Sequence, residues 1–123
     1  SLLSIGTKQS PIFSGTEESH TENVFVSPLN HFIKSEKLVS PVFVKIDVQG
    51  YELEVLKGCN SLFDNFDYIY VECSFIELYL GQALDDAVIQ YLINYSFELS
   101  GIYNMFYDKN GIAVQGDFLF IKQ

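Results

Sequence analysis

The sequence contains no arginine and no tryptophan, and its acidic side chains outnumber its lysines by 16 to 7. The formal net charge is −9 at pH 7. A chain without a guanidinium group lacks the side chain best suited to grip phosphate, and an acidic field repels polyanions. We therefore expect neither a nucleic acid nor an anionic membrane as a partner.

Cysteine and histidine are also scarce. Cys59, Cys73, His20 and His31 have neither the spacing of a zinc site nor the number of a disulfide framework. We predict reduced thiols, a cytoplasmic location and no metal site. No apolar run reaches the roughly 20 residues of a membrane span, and the start does not have the pattern of a signal peptide. Because the sequence begins at Ser1 and its single methionine lies far along the chain, we expect a piece of a longer protein.

Several catalytic motifs are missing as well. The sequence has no Gly-x-Gly-x-x-Gly loop, no Walker loop, no nucleophile elbow and no His-Glu-x-x-His. Neither cysteine has a neighbouring base in the sequence that would activate it as a nucleophile. Tyr79, Tyr103 and Phe106 are able to stack on a substrate ring or to fill the core, and the sequence leaves both uses open.

The composition is that of one folded domain. Hydrophobic residues make up 48% of 123 residues, and the mean hydropathy is +0.15. Residues 1–23 are polar and show no periodicity, which predicts a flexible lead-in. We assign residues 24–123 to the folded domain, in which residues 24–27 form a short β-type run.

Strand and helix patterns alternate through this domain. Apolar, β-branched runs predict strands at residues 42–48, 68–73, 97–103 and 117–122. Helical spacing predicts helices at residues 28–33, 51–56 and 84–95, and Gly58 stands just past the end of the second helix. The turn at 108–111 joins the last two strands. The pattern predicts an α/β sheet, mostly parallel, with one antiparallel edge strand.

Two acidic residues lie at the carboxyl ends of predicted strands, where open α/β sheets bind ligands. Asp47 ends the first strand and Glu72 lies near the end of the second. Side by side and partly desolvated, they have the means to act as a base or to bind a hydroxyl or ammonium group. The alternative is that Asp47 caps the next helix and Glu72 bonds backbone amides. Glu52 and Glu54 are typical of the start of a helix.

One segment is more specific. Residues 44–58 read Val-Lys-Ile-Asp-Val-Gln-Gly-Tyr-Glu-Leu-Glu-Val-Leu-Lys-Gly, which resembles the signature of the FkbM family of S-adenosylmethionine-dependent methyltransferases. Shorter segments at residues 26–29, 70–73, 78–79 and 116–120 agree with the family in order. The resemblance covers roughly residues 24–122.

The resemblance implies the carboxyl-terminal half of a class I Rossmann-like methyltransferase sheet, which is mostly parallel and has its last strand inserted antiparallel. It implies transfer of a methyl group from S-adenosylmethionine to a hydroxyl of a sugar or related acceptor. By analogy, Asp47 and Glu72 are the catalytic residues, and Asp47, Val48, Gln49 and Gly50 bind the cofactor. The glycine loop that carries the cofactor in this family has no counterpart here, so we expect the isolated fragment to be inactive.

Two other functions stay open. One is a non-catalytic α/β interaction module, and the other is an unrelated sugar- or acid-binding half-Rossmann protein. A half-sheet also leaves an apolar strand edge without a partner. We therefore predict either a homodimer through that edge or an edge covered by residues 1–23.

Overall fold

Four strands form a single sheet in the computed structural model, which describes all 123 residues. The strands are β1 (Phe43–Ile46), β2 (Tyr68–Ser74), β3 (Phe97–Tyr107) and β4 (Ala113–Lys122). The helices are α1 (Gln9–Ile12), α2 (Glu52–Cys59) and α3 (Asp85–Asn94), with short 3-10 helices at Leu29–His31, Ser35–Lys37 and Asn60–Asn65. The longest helix has 10 residues, and none is able to cross a membrane.

The order of the strands is β1-β2-β4-β3. β1 and β2 are parallel, whereas β4 is antiparallel to both β2 and β3. β3 therefore runs in the same direction as β1 and β2. The α/β class is confirmed, and the last strand is antiparallel as predicted.

The predicted edge position of this antiparallel strand is wrong. A turn at Asp108 brings β4 back beside β3, and β4 then also pairs with β2 along seven residues. Its core-facing side chains at Val114, Phe118 and Phe120 are fully buried. A strand so deeply buried needs a neighbour on each side to satisfy its backbone hydrogen bonds, and the insertion provides both.

The core lies between one face of the sheet and the helices α2 and α3. Apolar side chains from all four strands and from α2 and α3 meet there, and Leu56 of α2, Val71 of β2, Leu92 of α3 and Phe118 of β4 are fully buried. The opposite face of β2 carries Tyr68, Tyr70 and Glu72, which are exposed or half-buried. The sheet therefore has one apolar face and one polar face.

Three local predictions differ from the structure. The β-type run at residues 24–27 forms no strand, because no neighbouring strand bonds its backbone. The helix predicted at residues 28–33 is only the 3-10 helix Leu29–His31. Helix α2 continues through Gly58 to Cys59, since Gly58 packs near Pro28 within the helix rather than ending it.

The first part of the lead-in packs against the domain. Ile5 forms an isolated bridge with Tyr79, and the Gly6 N–H donates to the carbonyl of Leu78 at 2.7 Å. Phe13 stacks on Phe106 of β3 with ring centroids 4.8 Å apart. These contacts were not predicted from the sequence. A domain boundary at residue 24 stays a prediction.

The outer edge of β1 has no backbone partner, because β1 pairs with β2 alone. The lead-in lies along residues 78–80 and β3, and does not pair with this edge. The most exposed large apolar side chains, Phe25, Val39 and Phe32, belong to the segment that precedes β1. Association of two copies through this edge stays a prediction.

Candidate functional site

Three carboxylates form a row across the polar face of the sheet. Ile46 pairs with Val71 in the parallel register, so the residues that follow them, Asp47 and Glu72, are neighbours on adjacent strands. Glu72 in turn lies directly opposite Asp117 of β4. Adjacent strands are about 4.8 Å apart, so each carboxylate lies in the field of the next. We call Asp47, Glu72 and Asp117 the carboxylate row.

Glu72, in the middle of the row, holds its proton unusually tightly. Burial raises its pKa to about 7, and the negative charges of Asp47 and Asp117 act in the same direction. The amide Nε2 of Gln115 donates to Glu72 Oε1 at 2.9 Å, which holds the carboxyl group in place. Glu72 is therefore able to gain or lose a proton near neutral pH.

This titration predicts a pH dependence of stability. The folded state binds the Glu72 proton more tightly than an ordinary glutamate, whose pKa is 4.5. Protonation of Glu72 therefore stabilises the folded state fully below pH 4.5, and this stabilisation is lost as the pH rises through about 7. Because the group is half-exposed, solvent screening limits the expected loss to about 1–2 kcal/mol. Urea unfolding measures the free energy of unfolding at pH 5 and at pH 8. Its decrease between the two pH values should be smaller in Glu72→Gln than in the wild type. The exposed change Glu77→Gln is the control, and an equal decrease in all three proteins would contradict the assignment.

The Asp47 carboxylate is held from two sides. Gln49 Nε2 donates to its Oδ1 at 2.8 Å, and Lys45 Nζ donates to its Oδ2 at 3.1 Å. The hydrogen bond and the charge of Asp47 raise the pKa of Lys45 above its usual value. The Asp47 side chain is still 37% exposed, so it remains accessible from solvent.

Both structural alternatives for these acids are wrong. Tyr51, and not Asp47, precedes α2, and no side chain caps that helix. Glu72 lies within β2 and accepts a side-chain amide, whereas no backbone N–H donates to it. Asp47 therefore does not cap a helix, and Glu72 does not bond backbone amides.

The turn after β1 is tied down by Glu52. Its Oε1 accepts the N–H groups of Val48 at 3.2 Å and of Gly50 at 3.1 Å. Glu52 is buried, and it stands in the first turn of α2 as predicted. Val48 and Gly50 are among the residues that the resemblance assigns to the cofactor, and their backbone N–H groups already have a partner within the chain.

Gly50 is required in this turn for two reasons. Its φ angle is +98°, and a Cβ at this position would lie 3.0 Å from the ring of Tyr79. Gly111 has a φ angle of +78° but no atom within 4 Å of such a Cβ. We expect Gly50→Ala to cost about 2–3 kcal/mol and Gly111→Ala about 1 kcal/mol. Equal costs in thermal unfolding would show that the Tyr79 contact is unimportant.

Sequence reasoning missed the residues that support the row. Tyr70 OH and Asn104 Nδ2 donate to Asp117 Oδ2 at 3.1 and 2.7 Å. Tyr79 is buried and its OH donates to Gln49 Oε1 at 2.7 Å. Asp117 lies in the segment 116–120 that agrees with the family, but that agreement assigned it no role, and no pattern pointed to the pairing of Tyr79 with Gln49.

The geometry does not resemble a metal centre. No group of three or more His, Cys, Asp or Glu side chains is arranged to hold a metal ion. Both cysteines are free and buried, and burial raises the pKa of the Cys59 thiol to about 11. The chemistry available here is that of carboxylates, amides and a tyrosine hydroxyl.

A comparison with protein-family models decides the family. The model described as "Methyltransferase FkbM domain" matches residues 2–99. The chain belongs to this family. The FkbM match includes most of the lead-in and ends within β3, whereas the resemblance seen in the sequence covers residues 24–122. No curated protein and no solved structure matches the chain. Membership of the FkbM family indicates methyltransferase activity.

Proposed function

We propose that this FkbM domain belongs to an enzyme that transfers a methyl group from S-adenosylmethionine to a hydroxyl oxygen of a sugar or related acceptor. The observation that carries the proposal is the carboxylate row, in which Glu72 titrates near neutrality beside the accessible Asp47. A hydroxyl group must lose its proton as its oxygen gains a carbon, and a carboxylate within reach is able to accept that proton.

Asp47 is the candidate base. Lys45 and Gln49 hold its two oxygens, so the carboxylate presents a fixed direction to an incoming hydroxyl. Glu72 on the neighbouring β2 and the amide of Gln115 on β4 lie further along the sheet and are placed to hold a second polar group of the acceptor. Fixing the acceptor in this way supplies much of the rate in a displacement reaction.

The charge of the site suits the proposed cofactor. S-adenosylmethionine carries a positively charged sulfur and an ammonium group, and it supplies a methyl group that is already electrophilic. The carboxylate row and the amide of Gln49 offer acceptors to such cations, whereas the N–H groups of Val48 and Gly50 are occupied by Glu52. We therefore assign Asp47 and Gln49, among the residues present, to the cofactor side.

The strand order supports a finer assignment of the fold. An antiparallel last strand inserted beside the preceding one is what the class I Rossmann-like methyltransferase sheet leads us to expect for its carboxyl-terminal half. On this proposal, β1 to β4 correspond to the last four strands of that sheet in chain order.

The test uses the full-length natural protein and S-adenosylmethionine labelled in its methyl group. With neutral methyl glycosides as acceptors, we expect the label to appear as a methyl ether on a sugar hydroxyl. We also expect binding of S-adenosylhomocysteine in calorimetry. Binding without transfer to any hydroxyl acceptor would contradict the acceptor class. Absence of S-adenosylhomocysteine binding by the folded protein would contradict the enzymatic proposal as a whole.

A second candidate function is a non-catalytic α/β interaction module. The occupied N–H groups of Val48 and Gly50 favour it, because they leave this turn without free backbone donors for a ligand. The calorimetric measurement separates the two candidates, since only the enzyme should bind S-adenosylhomocysteine.

A further inference from the structure

Two hydrogen bonds connect a buried tyrosine to the candidate base. Tyr79 OH donates to Gln49 Oε1 at 2.7 Å, and Gln49 Nε2 donates to Asp47 Oδ1 at 2.8 Å. An ionised carboxylate only accepts, so the Gln49 amide turns its Nε2 towards Asp47 and its Oε1 towards the Tyr79 phenol, which donates to it. The Tyr79 hydroxyl therefore anchors the end of the Gln49 amide that faces away from Asp47.

The backbone of Gln49 gives its side chain little freedom to move elsewhere. Its φ angle is +56°, in the left-handed region, and Gly50 follows at +98°. Glu52 binds the N–H groups on both sides of Gln49. The side-chain amide of Gln49 is therefore attached to a rigid turn, although the residue is exposed to solvent.

Tyr79 is itself seated by residues remote from the row. Gln82 Oε1 accepts the N–H of Tyr79 at 2.8 Å, and the bridge to Ile5 joins this residue to the lead-in. Burial and the neighbouring carboxylates raise the pKa of the Tyr79 phenol further above the neutral range, in which a tyrosine hydroxyl is a donor. The anchor is buried while the carboxylate that it directs is accessible.

We propose that Tyr79 is a positioning residue that sets the direction of the Asp47 carboxylate through the side chain of Gln49. Lys45 holds the other carboxylate oxygen, so loss of the tyrosine hydroxyl leaves one of the two side chains that hold Asp47 without its buried anchor. The catalytic meaning of this arrangement rests on the proposed function, whereas the arrangement itself is testable without it.

The test is nuclear magnetic resonance of the 123-residue chain, following the Gln49 side-chain amide and the Asp47 carboxyl carbon. In Tyr79→Phe, both signals should shift. Tyr68→Phe is the matched control, because Tyr68 is an exposed tyrosine whose hydroxyl makes no hydrogen bond within the chain. Unchanged Gln49 and Asp47 signals in Tyr79→Phe would overturn the proposal.

A second variant guards against a loss of folding in Tyr79→Phe. Asparagine tolerates the left-handed region well, so Gln49→Asn should preserve the turn. Its side chain is shorter, so its amide should no longer reach both the Tyr79 hydroxyl and the Asp47 carboxylate. The Asp47 carboxyl signal should shift in this variant too, and an unshifted signal would overturn the proposal.

The functional consequence is measured in the full-length protein. Tyr79→Phe should lower kcat by about tenfold with little change in KM for the acceptor, because positioning acts on the reacting geometry. If the wild type transfers no methyl group, the proposed function fails, while the resonance measurements still decide whether Tyr79 directs Asp47.

Discussion

Replacing Asp47 with asparagine is expected to lower kcat for methyl transfer by about 100- to 10,000-fold in the full-length protein. The asparagine amide is similar in size but cannot accept the acceptor's proton, and it faces the Gln49 amide and the Lys45 ammonium without a negative charge. The pKa of Lys45 should decrease towards its usual value, since the hydrogen bond and charge of Asp47 are what raise it.

The measurement compares initial rates of label transfer with thermal unfolding of the same samples. Asp64→Asn is the control, because the Asp64 side chain is 98% exposed and lies away from the row. We expect the control to keep full activity and both variants to unfold near the wild-type temperature. Wild-type activity of Asp47→Asn would show that Asp47 is not the base that accepts the proton of the acceptor hydroxyl.

The largest effect on stability is expected at Phe63. Its ring is buried among other aromatic rings, with edge-on contacts to Tyr91, Tyr95 and Phe97 at centroid distances of 5.0 to 6.3 Å. Truncation to alanine removes a large apolar surface and leaves a cavity that rigid neighbours fill poorly. We expect Phe63→Ala to lower the free energy of unfolding by about 3–5 kcal/mol.

Urea unfolding followed by circular dichroism measures this loss. Phe25→Ala provides the comparison, because Phe25 is 89% exposed and the same atoms are deleted. The control should change the free energy of unfolding by less than about 0.5 kcal/mol. Similar losses in the two variants would mean that the aromatic cluster is not the centre of the core.

Most strands were predictable because their signals are local. The β-branched run of β1 and the alternation in β4 are visible within a few residues, and each strand overlaps its predicted range. β3 continues to Tyr107 and β4 begins at Ala113, so the predictions of 97–103 and 117–122 were too short around the turn. The place of β4 in the sheet was not predictable from its own pattern. Pairing with β2 joins residues such as Tyr68 and Ile121 that are far apart in the sequence, so alternation alone suggested an edge.

The site was predictable in part for the same reason. The ends of β1 and β2 pointed to Asp47 and Glu72, and the parallel register brings them together. The contribution of Asp117 depends on the non-local register of β4. The contribution of Tyr79 depends on a loop that is held in place by the bridge between Tyr79 and Ile5 near the start of the chain. No periodicity in the sequence reveals this contact.

The insertion of β4 also has a consequence for synthesis. β2 and β3 are joined in the sheet only through β4, which lies between them and whose ten residues at positions 113–122 leave the ribosome after both. Much of the sheet therefore forms through contacts between distant parts of the chain, which fold slowly. We expect nascent chains that stop before residue 113 to remain open to proteases, and the protein to acquire its resistance only as the final strand emerges.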